Sequence, residues 1–190
     1  TFNSLLPEDL EPDCEYVVQD EWTEYTDFLE QGVDGALFVG MHARAGAENG
    51  VLNHTISGPD FQNLWFNETL VGETGINAAL CGTWGCPVLL VTGDDAACRE
   101  GVELLGDGLT TVEVKQGLGV KSARLLQPAR ARELVEAGAK QALADLRQDC
   151  APVGVVTGVV NLCILLGPTL LADLTDDIPE DFQPYPGYES

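Results

Sequence analysis

Two histidines and one glutamate are the residues of this chain best suited to chemistry. His42 and His54 are its only histidines, and both fall in one stretch, GALFVGMHARAGAENGVLNHT, spanning residues 35–55. His42 closes an apolar run that begins at Ala36, and His54 follows a glycine-studded loop. Glu73 stands in Val71-Gly72-Glu73-Thr74-Gly75-Ile76-Asn77, which reads as a turn into a helix, where a carboxylate gains from the helix N-terminus. Neutral imidazole and carboxylate are the usual ligands of a catalytic zinc ion, which keeps one position open for water. Taken singly, each residue also has an ordinary reading. A histidine in a loop is as readily a hydrogen-bonding group as a ligand, and Glu73 is as readily a helix cap. Residue type alone leaves the choice open.

The elements that must position these residues alternate between strand and helix patterns. Residues 35–41 form a continuous apolar run, as expected of a strand covered on both faces. Pro87 to Thr92 forms a second, and Thr110 to Lys115 a third. Cys14 to Gln19 reads as a short strand and Trp22 to Gln31 as a helix. Leu64 to Val71 has the pattern of a hairpin turning at Asn67-Glu68. Glu73 to Trp84 has helical spacing, Asp94 is a natural N-cap for a helix that follows, and Pro128 to Arg147 reads as a long Ala-rich helix with Pro128 in its first turn. The expected fold is therefore α/β, a mainly parallel sheet flanked by helices. In such sheets function gathers at the carboxyl ends of strands. His42 and the Asp94-Asp95 pair both sit there.

Charge and cysteine usage narrow the partners. The chain has 31 acidic residues against 9 basic ones, a net charge of −22. Such a surface repels nucleic acid and anionic membranes, so neither is expected as a partner. Residues 153–171 run uncharged for about the length of a membrane span, but Gly154, Gly158, Asn161, Gly167 and Pro168 interrupt them. They read as buried pieces of strand or helix. The acidic end, residues 173–190, reads as a tail that is disordered or orders on contact. Six cysteines lie scattered without a repeated spacing, which points to reduced, mostly buried thiols and a cytoplasmic protein. Cys81 and Cys86, with four residues between them, fit helix-end packing better than a zinc knuckle.

The order of short motifs adds a resemblance. Gly40-Met41-His42-Ala43-Arg44-Ala45, Leu52-Asn53-His54-Thr55, Val71-Gly72-Glu73-Thr74-Gly75-Ile76-Asn77-Ala78, Val91-Thr92-Gly93-Asp94-Asp95 and Val114-Lys115-Gln116 together resemble the D-aminopeptidase (DppA-type) family of zinc metallopeptidases, over roughly residues 1–147. The resemblance implies a zinc-dependent aminopeptidase that releases N-terminal D-amino acids from short peptides, D-alanyl dipeptides among them. It also implies two zinc ions per intact site and assembly into a homo-oligomer. Carried over by motif, His42 and Glu73 are metal ligands and His54 is the catalytic histidine, able to hand a proton to the leaving amine. Asp94 and Asp95 then orient a ligand or cap a helix. Lys115-Gln116, read as a strand end, would meet a substrate carboxylate, or Lys115 is simply a surface lysine.

The same resemblance sets an expectation of incompleteness. The family's remaining ligands lie in an upstream Asp-x-Glu and an Asp-Ser-His, neither of which precedes the matching segment here. Residues 1–147 are thus expected to be a partial, N-terminally truncated D-aminopeptidase-like domain, and residues 148–190 a divergent apolar and acidic tail. The chain as it stands is expected to be inactive. The alternative is a non-catalytic α/β remnant that keeps only the fold and the oligomer surfaces.

Overall fold

The computed structural model describes residues 10–16, 27–146 and 162–166. A short helix α1 (Asp27–Glu30) leads to strand β1 (Ala36–Met41). A hairpin of β2 (Phe61–Phe66) and β3 (Thr69–Val71) follows, then helix α2 (Glu73–Thr83), strand β4 (Val88–Asp94) and helix α3 (Asp95–Leu105). The chain continues through β5 (Thr110–Gly119), β6 (Ser122–Leu125), the long helix α4 (Pro128–Leu146) and β7 (Leu162–Leu166).

Four strands form the main sheet in the order β1-β4-β5-β6. The β1–β4 and β4–β5 pairs are parallel, and β6 folds back antiparallel onto β5. A second sheet, β3-β2-β7, is antiparallel throughout. One core joins Ala78 and Cys81 of α2 to Val88 and Val91 of β4, with Leu105 of α3 and Phe38 of β1 packed alongside. On the opposite face Leu134, Val135 and Ala142 of α4 cover Leu89, Leu90 and Val112. Helices therefore lie on both faces of a mainly parallel sheet, as the alternating pattern predicts.

The sequence expectations meet this fold unevenly. All seven residues of β4 are buried, its apolar run as a central strand should be and its closing Asp94 with it. Full coverage of residues 35–41 does not occur: Leu37 is 38% exposed and Val39 62%. The cause is position in the sheet. Among the described residues β1 is an edge strand, and the α4 layer reaches β4 and β5 but leaves this face of β1 uncovered. The third strand runs past Lys115 to Gly119, where β6 pairs with it. Lys115-Gln116 is therefore mid-strand and not a strand end. The hairpin turns at Asn67, which adopts φ +56°. Residues 14–16 are irregular, and the rest of the expected first strand lies outside the described residues. Only Asp27–Glu30 of the expected 22–31 helix is helical, residues 22–26 lying outside them.

Of the cysteines, Cys81, Cys86 and Cys98 are buried free thiols, and Cys14 is free and exposed. Burial pushes the Cys98 thiol up to about 12, which keeps it an unreactive packing group. From the 153–171 run, residues 162–166 form β7 beside β2, and the remainder lies outside the described residues. No described helix is long and apolar enough to cross a membrane.

Candidate metal centre

His42 is the first residue after β1, so the parallel pairing with β4 fixes where its backbone emerges. Glu73 is the first residue of α2, following Gly72 as N-cap. The two side chains meet: His42 Nε2 lies 2.7 Å from Glu73 Oε2. His54 joins them from its loop, with Nε2 4.0 Å from the same oxygen. Its ring stacks on that of His42 at 3.9 Å between centroids and 19° between planes. One ligand atom from each of the three residues falls within 4.8 Å of the others. The group is half-buried, open enough for a ligand to enter.

The loop that carries His54 is held by hydrogen bonds from several directions. Thr55, fully buried, accepts the Ala45 amide through Oγ1 at 3.1 Å. The Asn53 side chain accepts the Gly46 amide and donates to the Ala47 and Gly50 carbonyls. Leu52 donates its amide to Val120 O at 2.7 Å. Asp94, fully buried, accepts the Val51 amide at 2.5 Å and the Ala97 amide at 2.8 Å. Asp94 is therefore both the cap of α3 and an anchor of the His54 loop, and it acts on the loop's backbone. Asp95 turns elsewhere and accepts the Gly117 amide. A Cβ on Gly117 would run into the Asn49 carbonyl, so the loop packs this closely on β5 only over glycine.

Hydrogen bonding fixes the imidazole tautomers. His42 Nδ1 faces the Ala43 carbonyl at 3.1 Å, and His54 Nδ1 faces the Leu52 carbonyl at 2.7 Å. A carbonyl oxygen only accepts, so each Nδ1 carries the hydrogen. Both Nε2 lone pairs are left facing the shared space. This is the arrangement that metal-binding histidines adopt, with the far nitrogen donating to a backbone carbonyl. When the imidazoles are neutral, Glu73 Oε2 is buried without a hydrogen-bond donor. Two lone pairs 2.7 Å apart repel unless a cation sits between them, either a proton or a metal ion. The residues fit a metal.

Without metal, a proton on His42 can take that place. The hydrogen bond to Glu73 raises the His42 pKa, against the pull of burial. For Glu73, burial is the largest single influence and pushes the carboxyl up. His42, His54 and the Ile56 backbone amide together outweigh it, leaving the carboxyl below its ordinary value. Ile56 adopts φ +60°, costly for a β-branched residue. Its amide serves the Glu73 carboxylate from that conformation.

Comparison with known proteins identifies the family and its fold. A family model described as D-aminopeptidase matches residues 1–180. The chain belongs to that family. It is 37% identical over 135 residues to a D-aminopeptidase of Bacillus subtilis (strain 168), a match covering 70% of this chain and 48% of the relative. A solved structure from Bacillus subtilis, described as the zinc-dependent D-aminopeptidase DppA, a self-compartmentalizing protease, superposes with a TM-score of 0.82 at 30% identity. That likeness covers 94% of this chain and 64% of the other. The chain thus spans about half the length of the curated relative it matches, and the family's α/β fold is the one observed.

The sequence reading found all three members of the cluster and missed two supports. Ile56 gave no signal, because a left-handed isoleucine is set by its surroundings. Glu100 did give one. It sits three and four residues from the buried Ala97 and Ala96, on the packed side of α3, where a carboxylate is out of place.

Proposed function

We propose that this chain supplies part of the catalytic centre of a zinc-dependent aminopeptidase that removes N-terminal D-amino acids from short peptides, D-alanyl dipeptides in particular. The observation that carries the reading is the facing pair, His42 Nε2 and Glu73 Oε2 at 2.7 Å, with His42 Nδ1 already committed to a carbonyl. Family membership supplies the chemistry to which that pair is put. In this reading His42 and Glu73 hold metal and His54 is catalytic. The complete site holds two zinc ions, and the protein works as a cytoplasmic homo-oligomer.

Bound zinc would supply Lewis-acid polarisation of the scissile carbonyl and acidify water. The chain's own residues do the rest. Glu73 contributes negative charge that a peptide's α-ammonium group favours. The Leu52 carbonyl fixes the proton on His54 Nδ1, so Nε2 is the atom that takes a proton and returns it to the leaving amine. Its loop, pinned by Asp94, Thr55 and Asn53, holds that nitrogen in place without rearrangement.

The test has two parts. Zinc titration of the 190-residue chain, followed by chelator competition, should show binding that His42→Ala and Glu73→Ala each weaken by about tenfold or more, while His54→Ala leaves it within about threefold. Hydrolysis of a D-alanyl dipeptide should be absent with the chain alone. It should appear in zinc when an upstream segment bearing Asp-x-Glu and Asp-Ser-His is joined to it, and should then be lost in His54→Ala with metal retained. No zinc binding by the wild-type chain, or equal binding by all four proteins, would overturn the metal assignment. Chelator-sensitive turnover by the short chain alone would overturn the inactivity, and metal loss in His54→Ala the division of roles.

A further inference from the structure

Glu100 lies outside the metal cluster and takes no part in the chemistry above, yet it is the most deeply buried glutamate among the described residues, 8% exposed. Its Oε2 accepts the backbone amide of Arg44 at 2.7 Å. Its Oε1 is buried with no hydrogen-bond partner. The same Oε1 lies 2.9 Å from the point where a Cβ on Gly72 would stand, and that point is 2.7 Å from Arg44 Cβ and 2.9 Å from Arg44 Cα. Three backbone segments converge on this carboxylate. The first leaves β1 through His42-Ala43-Arg44, the second enters α2 through Gly72-Glu73, and the third is α3 itself.

We infer that Glu100 is a positioning residue of the metal centre, holding the His42 turn and the Glu73 turn in mutual register from beneath. This inference rests on the zinc reading only for its largest readout. The chain of contacts is short. The Ala43 carbonyl that fixes the His42 tautomer belongs to the peptide unit whose nitrogen is the Arg44 amide. Glu100 therefore grips the same peptide plane from the opposite side, and tilting that plane swings the His42 ring. Gly72 immediately precedes Glu73 and has no side chain, so the Arg44 backbone and the Glu100 carboxylate can close against it. A purely structural role gives a poor account of this residue. Burial pushes the Glu100 carboxyl up, with the Arg44 amide and charge pulling the other way, and an apolar side chain would avoid that burial altogether. What an apolar side chain lacks is an acceptor for the Arg44 amide.

The experiment uses the full 190-residue chain with Glu100→Ala, Glu100→Asp, Glu100→Gln and Gly72→Ala. Three quantities are read: zinc affinity by chelator competition, ring-proton NMR shifts of the metal-free histidines, and the urea midpoint. With only two histidines in the chain, their ring signals are readily assigned, and the stacked pair reports its own geometry. Glu100→Ala should weaken zinc binding by about tenfold or more and move both ring signals toward free-histidine positions. Glu100→Gln keeps an oxygen acceptor of the same reach and should restore both to near wild type. Gly72→Ala should reproduce the loss by wedging the turns apart. If Glu100→Ala does not fold, Glu100→Asp decides: one methylene too short, it should show the same loss. A lowered midpoint with zinc affinity and ring shifts unchanged would reduce Glu100 to a packing residue and overturn the inference. If wild-type chain binds no zinc, the zinc reading fails while the ring shifts still decide the role of Glu100.

Discussion

Strands β1 and β4 look alike as sequence and live in different surroundings. Ala36-Leu37-Phe38-Val39 and Val88-Leu89-Leu90-Val91 are both uninterrupted apolar runs. In the fold, β4 lies between two parallel neighbours with helices above and below and is wholly buried. Among the described residues β1 lies at the edge of the sheet, and it turns Leu37 and Val39 outward. Apolarity says that a strand belongs to a sheet; its place in the strand order decides how much water it loses. The metal cluster occupies the boundary between the two. His42 comes off the poorly covered strand, while from the well-covered side Asp94 anchors the His54 loop through the Val51 amide and Glu100 accepts the Arg44 amide.

Four measurements of unfolding free energy, in the metal-free chain, would break or sharpen this contrast. Leu90→Ala in β4 should cost the most, about 2–5 kcal/mol, because a fully buried side chain is removed from a site flanked on both faces. Asp94→Ala should come next, at about 1–3 kcal/mol, since it deletes a helix cap and leaves the part-buried Val51 amide without its acceptor. A loss no greater than that of an exposed cap would show that the loop anchor adds nothing.

The third measurement concerns pH. The His42 pKa is raised from 6.5, so its contribution is complete below that value and fades as pH climbs through the raised one. The Glu73 pKa is lowered from 4.5, so its contribution is complete above that value and fades as pH falls through the lowered one. The pair therefore stabilises the chain most fully between 4.5 and 6.5, by about 1 kcal/mol or less for a half-open pair. The difference between wild type and His42→Ala should peak in that window. The raised carboxyl of Glu100 trends the other way, losing stability as pH rises past 4.5, and it enters the difference only through its charge coupling to His42, the smallest influence on the His42 pKa. A difference that grows steadily toward alkaline pH would refute the assignment. Smallest of all, Val39→Ala in β1 should change stability by no more than about 0.5 kcal/mol. A loss matching that of Leu90→Ala would mean β1 is covered after all.

How far the sequence disclosed these features depends on the range of the interactions involved. β4, β5, α2 and α4 were legible because each is a local pattern, either an apolar run or a helical period. Asp94 was legible as a cap because capping is settled within three residues. His42, His54 and Glu73 were legible as a group through the order of motifs, since each alone has an ordinary reading. Exposure of Val39 was not legible, because it depends on which strands lie beside β1. Nor was the second bond of Asp94, to an amide 43 positions away. Lys115 was misplaced for a related reason: β6 returns against β5 and extends it beyond the point where its apolar pattern fades.

The bonds that shape the cluster also differ in when they can form. Within the His54 loop they span short stretches, from Asn53 to Gly50, Ala47 and Gly46 and from Thr55 to Ala45. Such loops close in well under a microsecond. The bonds from Asp94 to Val51 and from Glu100 to Arg44 close separations of 43 and 56 residues and must await the docking of α3 on the sheet. On that order His42, His54 and Glu73 are expected to acquire their mutual geometry late, after the rate-limiting barrier. A metal ion that recognises only the finished cluster would slow unfolding and leave the refolding rate unchanged. Stopped-flow refolding in zinc and in chelator would check this, and faster refolding in zinc would place the cluster in the folding nucleus.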